Sequence, residues 1–310
     1  MEQLGSCTVT DSLERCSSQP WRSVRDRFRG ALLGLWLAPT VVAAQPSAEG
    51  LATRLSKLAA FSLEQTRVFL QQPHAFDLLH VQIASHADSH QAYGHGAYDS
   101  ESALWASVPA LLRYHDSWQR RLQWVGDYRQ HRASARSGQS RGSPSQPLQA
   151  DTIAQVLVLG DLLELLLRGD RCSPIAGPSQ LQERATAGRL AALSATEQQH
   201  YRLMLAALWA GISNGLPPDS LQSLSKVSKV TAQQEFIGAA LVALRYLESY
   251  PISVQMAARQ GGTAPLVTAV IAGARSGRAA IPALWQILPQ CPEILATADD
   301  LFALWAGIAR

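Results

Sequence analysis

The chain has 310 residues, 47% of them hydrophobic and 16% charged, enough apolar side chain to build a sizeable core and to exclude wholesale disorder. Its length suits one large domain or two small ones, and a net charge of only +3 argues against a dedicated nucleic-acid binder. Cys7, Cys16, Cys172 and Cys291 are too scattered for a zinc site or a disulfide framework, so a reducing, cytoplasmic setting is expected.

Residues 1–23 are mostly polar and are expected to be a flexible N-terminal segment. Arg22, Arg25, Arg27 and Arg29 then precede ALLGLWLAPTVV, and Ala43-Ala44 imitates a cleavage site. The apolar run starts late for a secretion signal, at Ala31, and is too short to span a bilayer. It reads instead as a buried first helix over Arg25–Leu37, which Pro39 should stop. Apolar spacing with Pro or Gly punctuation predicts further helices at Leu51–Gln71, Glu101–Tyr114, Ile153–Arg168, Gln180–Ser194, Glu197–Ser213, Ala232–Glu248, Pro265–Ser276 and Ile281–Leu288. Leu301–Ile308 closes the chain. No run alternates in the manner of a strand, so the expected fold is a single compact all-α domain over residues 24–310.

Two segments stand out by chemistry. His86, Asp88, His90, His95, Asp99 and Glu101 form the densest group of possible metal ligands, read either as a metal site or as a polar loop. Residues 131–150 are rich in Ser, Arg and Gly and are expected to form a flexible loop. Between Asp116 and Gly142 six arginines face two aspartates, a local excess above the +3 of the whole chain. That region is either a solvated surface or a contact for an acidic partner. Trp118, Trp124 and Tyr128 lie within it. No Walker loop, nucleophile elbow or dinucleotide fingerprint is present.

The stretch Ala258 to Trp285, ARQGGTAPLVTAVIAGARSGRAAIPALW, is the most structured in pattern. Thr263 is placed to cap a helix, and Pro265 suits its first turn. Leu266, Val267, Val270, Ile271 and Ala274 make a buried face. Ala269, Gly273 and Gly277 lie four apart and form a smooth stripe for a close helix neighbour. Glycine within a helix costs about 1 kcal/mol against alanine, so the stripe implies tight packing. At the helix start, the N–H groups of Gly261, Gly262 and Thr263 could face an anion.

This stretch resembles the C-terminal signature of the ADP-ribosylglycohydrolase family, and RFRGALLGLWLAPT, Arg27 to Thr40, is similar to its N-terminal one. In the family a Gly-Gly pair precedes Asp-Thr-Asp-Thr; here those four positions are Thr263, Ala264, Pro265 and Leu266. TRLSKLAAFSLE, from Thr53, resembles a second aspartate motif, with Arg54 and Leu55 in place of its aspartates. Pro39 replaces a further aspartate. The resemblance implies an all-α fold of that type and a pocket built from Thr53, Arg54, Gly261, Gly262 and Thr263. It also implies loss of the family's paired Mg²⁺ or Mn²⁺ ions, which need several hard oxygen ligands. Arg54 reads as a phosphate ligand or as a surface arginine. The function expected is a non-catalytic module binding a protein partner or an ADP-ribose-like ligand, with no cofactor and no membrane role. The alternatives are a hydrolase of ADP-ribosyl bonds using other ligands, or an adaptor acting through the Arg-rich loop.

Overall fold

The computed structural model describes residues 23–45, 48–71, 98–137, 150–168, 183, 187–213, 232–246 and 249–308. Among the described residues there is no strand. The helices are α1 (Val24–Ala43), α2 (Glu49–Gln71), α3 (Tyr98–Arg113), α4 (Trp118–Ser137), α5 (Ala150–Leu167), a one-turn α6 (Ala187–Leu190), α7 (Ala195–Ser213), α8 (Ala232–Arg245), α9 (Tyr250–Ala258), α10 (Ala264–Ser276) and α11 (Cys291–Trp305). Two 3-10 turns, Arg278–Ala280 and Ala283–Trp285, join α10 to α11. The fold is all-α, as the apolar spacing requires.

Helix α1 starts at Ser23, whose hydroxyl accepts the Asp26 N–H at 3.1 Å. It does not stop before Pro39 but runs on to Ala43. An internal proline loses a backbone hydrogen bond and costs about 3 kcal/mol. Val41 and Val42 beyond it are buried, and each buried valine contributes about 1.5–3 kcal/mol, so burial offsets the break. Three of the arginines of the signal-like pattern, Arg25, Arg27 and Arg29, dock this helix. Arg25 and Arg29 both grip Asp299 of α11 in bidentate fashion, at 2.7–2.8 Å, and Arg27 donates to the Leu166 carbonyl of α5. No described helix is long and apolar enough to cross a membrane.

Five other segments differ from expectation. Helix α4 was hidden by its polar composition; it is anchored by buried Arg121, Trp124 and Val125. It carries the chain helically to Ser137, so residues 131–137 are helix rather than loop, and 138–149 lie outside the described residues. The single helix expected over Ala232–Glu248 ends at Arg245, and α9 restarts after Ser249, whose hydroxyl accepts the Ile252 N–H, with Pro251 in the first turn. Ile281–Leu288 is not a helix: Pro282 holds Ile281 extended (φ −83°, ψ 127°), as a following proline does. The last helix begins at Cys291, with Pro292 in its first turn, and ends at Trp305. Of the expected Gln180–Ser194 helix, the described part is helical over Ala187–Leu190.

The core is organised around α5, buried at every residue from Thr152 to Leu167, and around the contact of α1 with α10. The stripe on α10 meets a matching stripe on α1. A Cβ on Gly30 would overlap the Gly273 carbonyl oxygen and Gly277, and one on Gly273 would overlap the Gly30 carbonyl. A Cβ on Gly34 would come to 2.8 Å from the Ala269 carbonyl oxygen. The Tyr250 hydroxyl of α9 donates to the Gly34 carbonyl and seals the far side of the seam. Packing this close places α10, and the turn before it, at a fixed height against α1.

Candidate functional site at the Gly-Gly turn

The turn follows from local chemistry. Helix α9 ends at Ala258, and the chain reverses through Gly261 (φ +82°) and Gly262 (φ +52°). Only glycine takes such left-handed angles without steric cost. Thr263 occupies the N-cap position of α10, its carbonyl accepting the Leu266 and Val267 N–H groups at 3.0 and 3.2 Å. Its side chain, however, does not cap the helix. The expected cap bond is replaced by a longer-range one, since the Thr263 hydroxyl donates to Glu235 Oε1 at 2.9 Å.

Glu235 lies in the first turn of α8, and the same Oε1 also accepts the Thr263 backbone N–H. A Cβ on Gly262 would collide with this carboxylate. The next turns of α8 continue the junction. A Cβ on Gly238 would come to 2.7 Å from the Gln260 side-chain oxygen, and the Thr268 hydroxyl donates to the Ala239 carbonyl at 2.9 Å. Residues 235, 238 and 239 share one helix face, so α8 is fastened along the turn and the start of α10.

The electrostatic result is definite. A helix start carries a partial positive charge and free N–H donors. At α10 that position already holds an anion, and the anion is the protein's own Glu235. An external phosphate or carboxylate here would have to displace this charge-assisted pair and would meet like-charge repulsion.

The other residues expected in the pocket, Thr53 and Arg54, stand on α2. Thr53 is exposed on α2, its hydroxyl donating one turn back to the Glu49 carbonyl at 3.0 Å. Arg54 is half-buried on the same helix, and Leu55 is buried in the core. Helix α2 packs chiefly on α1 and α3, whereas α10 packs chiefly on α1, α8 and α9. At the positions that the resemblance matches to the family's aspartates the side chains are Arg54, Leu55, Thr263 and Pro265, offering one hydroxyl and one cation. That donor set does not fit a pair of divalent ions. Among the described residues no three of His, Cys, Asp and Glu gather in a metal-holding group. His86, Asp88, His90 and His95 lie outside the described residues.

A second polar cluster was not anticipated. Arg121 of α4 is fully buried and spans α5. Its guanidinium donates to the His115 and Gly160 carbonyls at 2.7 and 2.6 Å, to Asp161 at 2.8 Å and to Glu164 at 2.9 Å. A Cβ on Gly160 would come to 2.8 Å from Arg121 Cδ, so glycine admits the side chain. Arg189 adds an ion pair to Asp161 at 2.5 Å and stacks 4.1 Å from the centre of the Trp118 ring. The Tyr201 hydroxyl donates to the other Asp161 oxygen. Burial pushes the Tyr201 hydroxyl well above the usual range, and the adjacent Asp161 charge adds to the effect. Asp161 and Glu164, three apart in an otherwise apolar run, were the available sequence signal. Arg121 is thus engaged inside the core, and the half-buried Arg129 pairs with Glu197, so these two arginines of the segment are matched by the protein's own carboxylates.

A smaller node joins three helices: His200 of α7 contacts Asp151 of α5, and Gln233 of α8 donates to the same carboxylate at 2.7 Å. Compared with known proteins, the chain matches no family model and no curated sequence.

Proposed function

We propose that this chain is a non-catalytic module of ADP-ribosylglycohydrolase type that binds a protein partner rather than an anionic nucleotide. One observation carries the reading: Glu235 takes both the backbone N–H and the hydroxyl of Thr263, closing with an internal carboxylate the helix end that the resemblance marks as ligand-facing. The donor set at the aspartate-equivalent positions supports the same reading, because water activation by paired metals needs carboxylates that Thr263 and Pro265 do not supply.

The test is direct. Titration of the chain with ADP-ribose in a calorimeter should give no saturable heat, and incubation with ADP-ribosyl-arginine and Mg²⁺ or Mn²⁺ should give no product. Turnover that depends on metal, or saturable ADP-ribose binding abolished by Thr263→Ala, would overturn the proposal.

A further inference from the structure

His115 stands in the turn between α3 and α4 and is 1% exposed. Its ring Nδ1 donates to the Leu112 carbonyl at 2.6 Å, since a carbonyl can only accept. Two other helices close over the ring. Phe28 of α1 meets it edge-on, 5.7 Å between centres, and Trp305 of α11 lies at 4.9 Å. Phe302, one turn back on α11, packs on both Phe28 and Trp305. The two sides of this enclosure are unequal. The His115 turn is pinned: its carbonyl accepts from buried Arg121 at 2.7 Å, and the Ser117 N–H bonds the Tyr114 carbonyl at 3.0 Å. The α11 side is thin. Trp305 is half-buried, with its indole donating to Asp116 at 3.1 Å, and Ala306, Gly307 and Ile308 after it are exposed.

We propose that His115 is an acid-released latch for the end of α11: the neutral ring keeps Trp305 seated, and protonation of the ring opens the last turn of the helix. An imidazolium so enclosed loses its hydration, and the part that can yield to readmit water is Trp305. The charges facing the ring do not offset that loss. Asp116 beside it and Glu164 of α5 favour the proton, and Arg121 of α4 opposes it. Glu164 is already paired with Arg121 and Arg168. On α1 and α11, Arg25 and Arg29 pair with Asp299, and Arg113 of α3 lies over the Phe69 and Tyr114 rings. Burial therefore dominates and holds the ring below its ordinary value, with the Leu112 carbonyl pulling the other way. Opening returns the ring to about 6.5, so opening is favoured as pH falls below that value and levels off at the lower folded one. The latch shares no residue with the Gly-Gly turn, so it stands apart from the proposed function.

Hydrogen exchange on the full chain, followed by mass spectrometry and corrected for intrinsic rates, tests it. Opening of the segment 301–308 should rise about tenfold between about pH 7.5 and about pH 5.5, while α10 stays unchanged. His115→Phe keeps an aromatic ring that cannot take a proton, and it should abolish the rise. No rise in the wild type, the same rise in His115→Phe, or an equal rise in α10 would overturn the proposal. Should that variant not fold, an NMR titration of the wild type decides instead. The His115 ring should titrate below about 6.5, and the Trp305 indole resonance should move with it. A ring that titrates while the indole resonance stays fixed would equally overturn the latch.

Discussion

Gly273 and Gly262 stand on the same helix and its leading turn, and neither leaves room for a side chain, but different neighbours fill the space. At Gly273 the neighbour is the backbone of α1, which cannot withdraw without moving a helix. At Gly262 it is the Glu235 carboxylate, the end of a rotatable side chain. The α1–α10 seam is therefore architecture, whereas the Gly-Gly turn is closed by one side chain, Glu235. A scaffold can keep the first intact while a single side chain decides whether the second is open.

The strongest test of this contrast is Gly273→Ala. Overpacking against backbone should cost about 3 kcal/mol or more, read as a large fall in Tm by circular dichroism, and no truncation of an α1 side chain should restore it. A loss below about 1 kcal/mol would erase the distinction. Gly262→Ala should cost less, about 2 kcal/mol, from its left-handed backbone and the clash with Glu235. Adding Glu235→Ala should recover part of that loss in a double-mutant cycle. Strict additivity would mean that the carboxylate does not occupy the turn.

Asp299 tests what holds the seam from outside. Burial pushes its carboxyl up, but the hydrogen bonds and charges of Arg25 and Arg29 outweigh this and hold it well below the usual carboxylate range. A depressed folded-state pKa stabilises the fold above the unfolded value of about 3.9, and that contribution fades as pH falls below it toward the folded value. Asp299→Asn should thus lower Tm at neutral pH, and the gap to the wild type should narrow progressively below about pH 4. A gap independent of pH would deny the ion pair its role. Thr53→Ala should have the smallest effect, within about 0.5 kcal/mol, because its hydroxyl serves only its own helix.

Apolar spacing was enough to read the all-α class and most helix cores, because a 3.6-residue period is a local property of the chain. The stripe of Ala269, Gly273 and Gly277 announced a close neighbour for the same reason. It could not name Gly30 and Gly34 as that neighbour, some 240 residues earlier. Local rules also misjudged Pro39 and Thr263. The proline obeys packing around Val41 and Val42 rather than its own preference, and the threonine hydroxyl turns to Glu235 rather than to its own helix.

Arg121 shows the limit most plainly. Within α4 it is one arginine of a basic, polar segment, yet it is fully buried against Asp161 and Glu164, about forty positions along the chain. Burial and pairing are decided by what the other helices bring to the same point, and charge counted along a segment does not contain that information. Glu235 is the same case at the candidate site. Gly261, Gly262 and Thr263 were legible as a helix start able to receive an anion, since backbone geometry there depends on neighbouring residues alone. That the anion is the protein's own carboxylate became visible only when α8 was set beside α10, because a contact between residues 28 apart is a property of the packed fold.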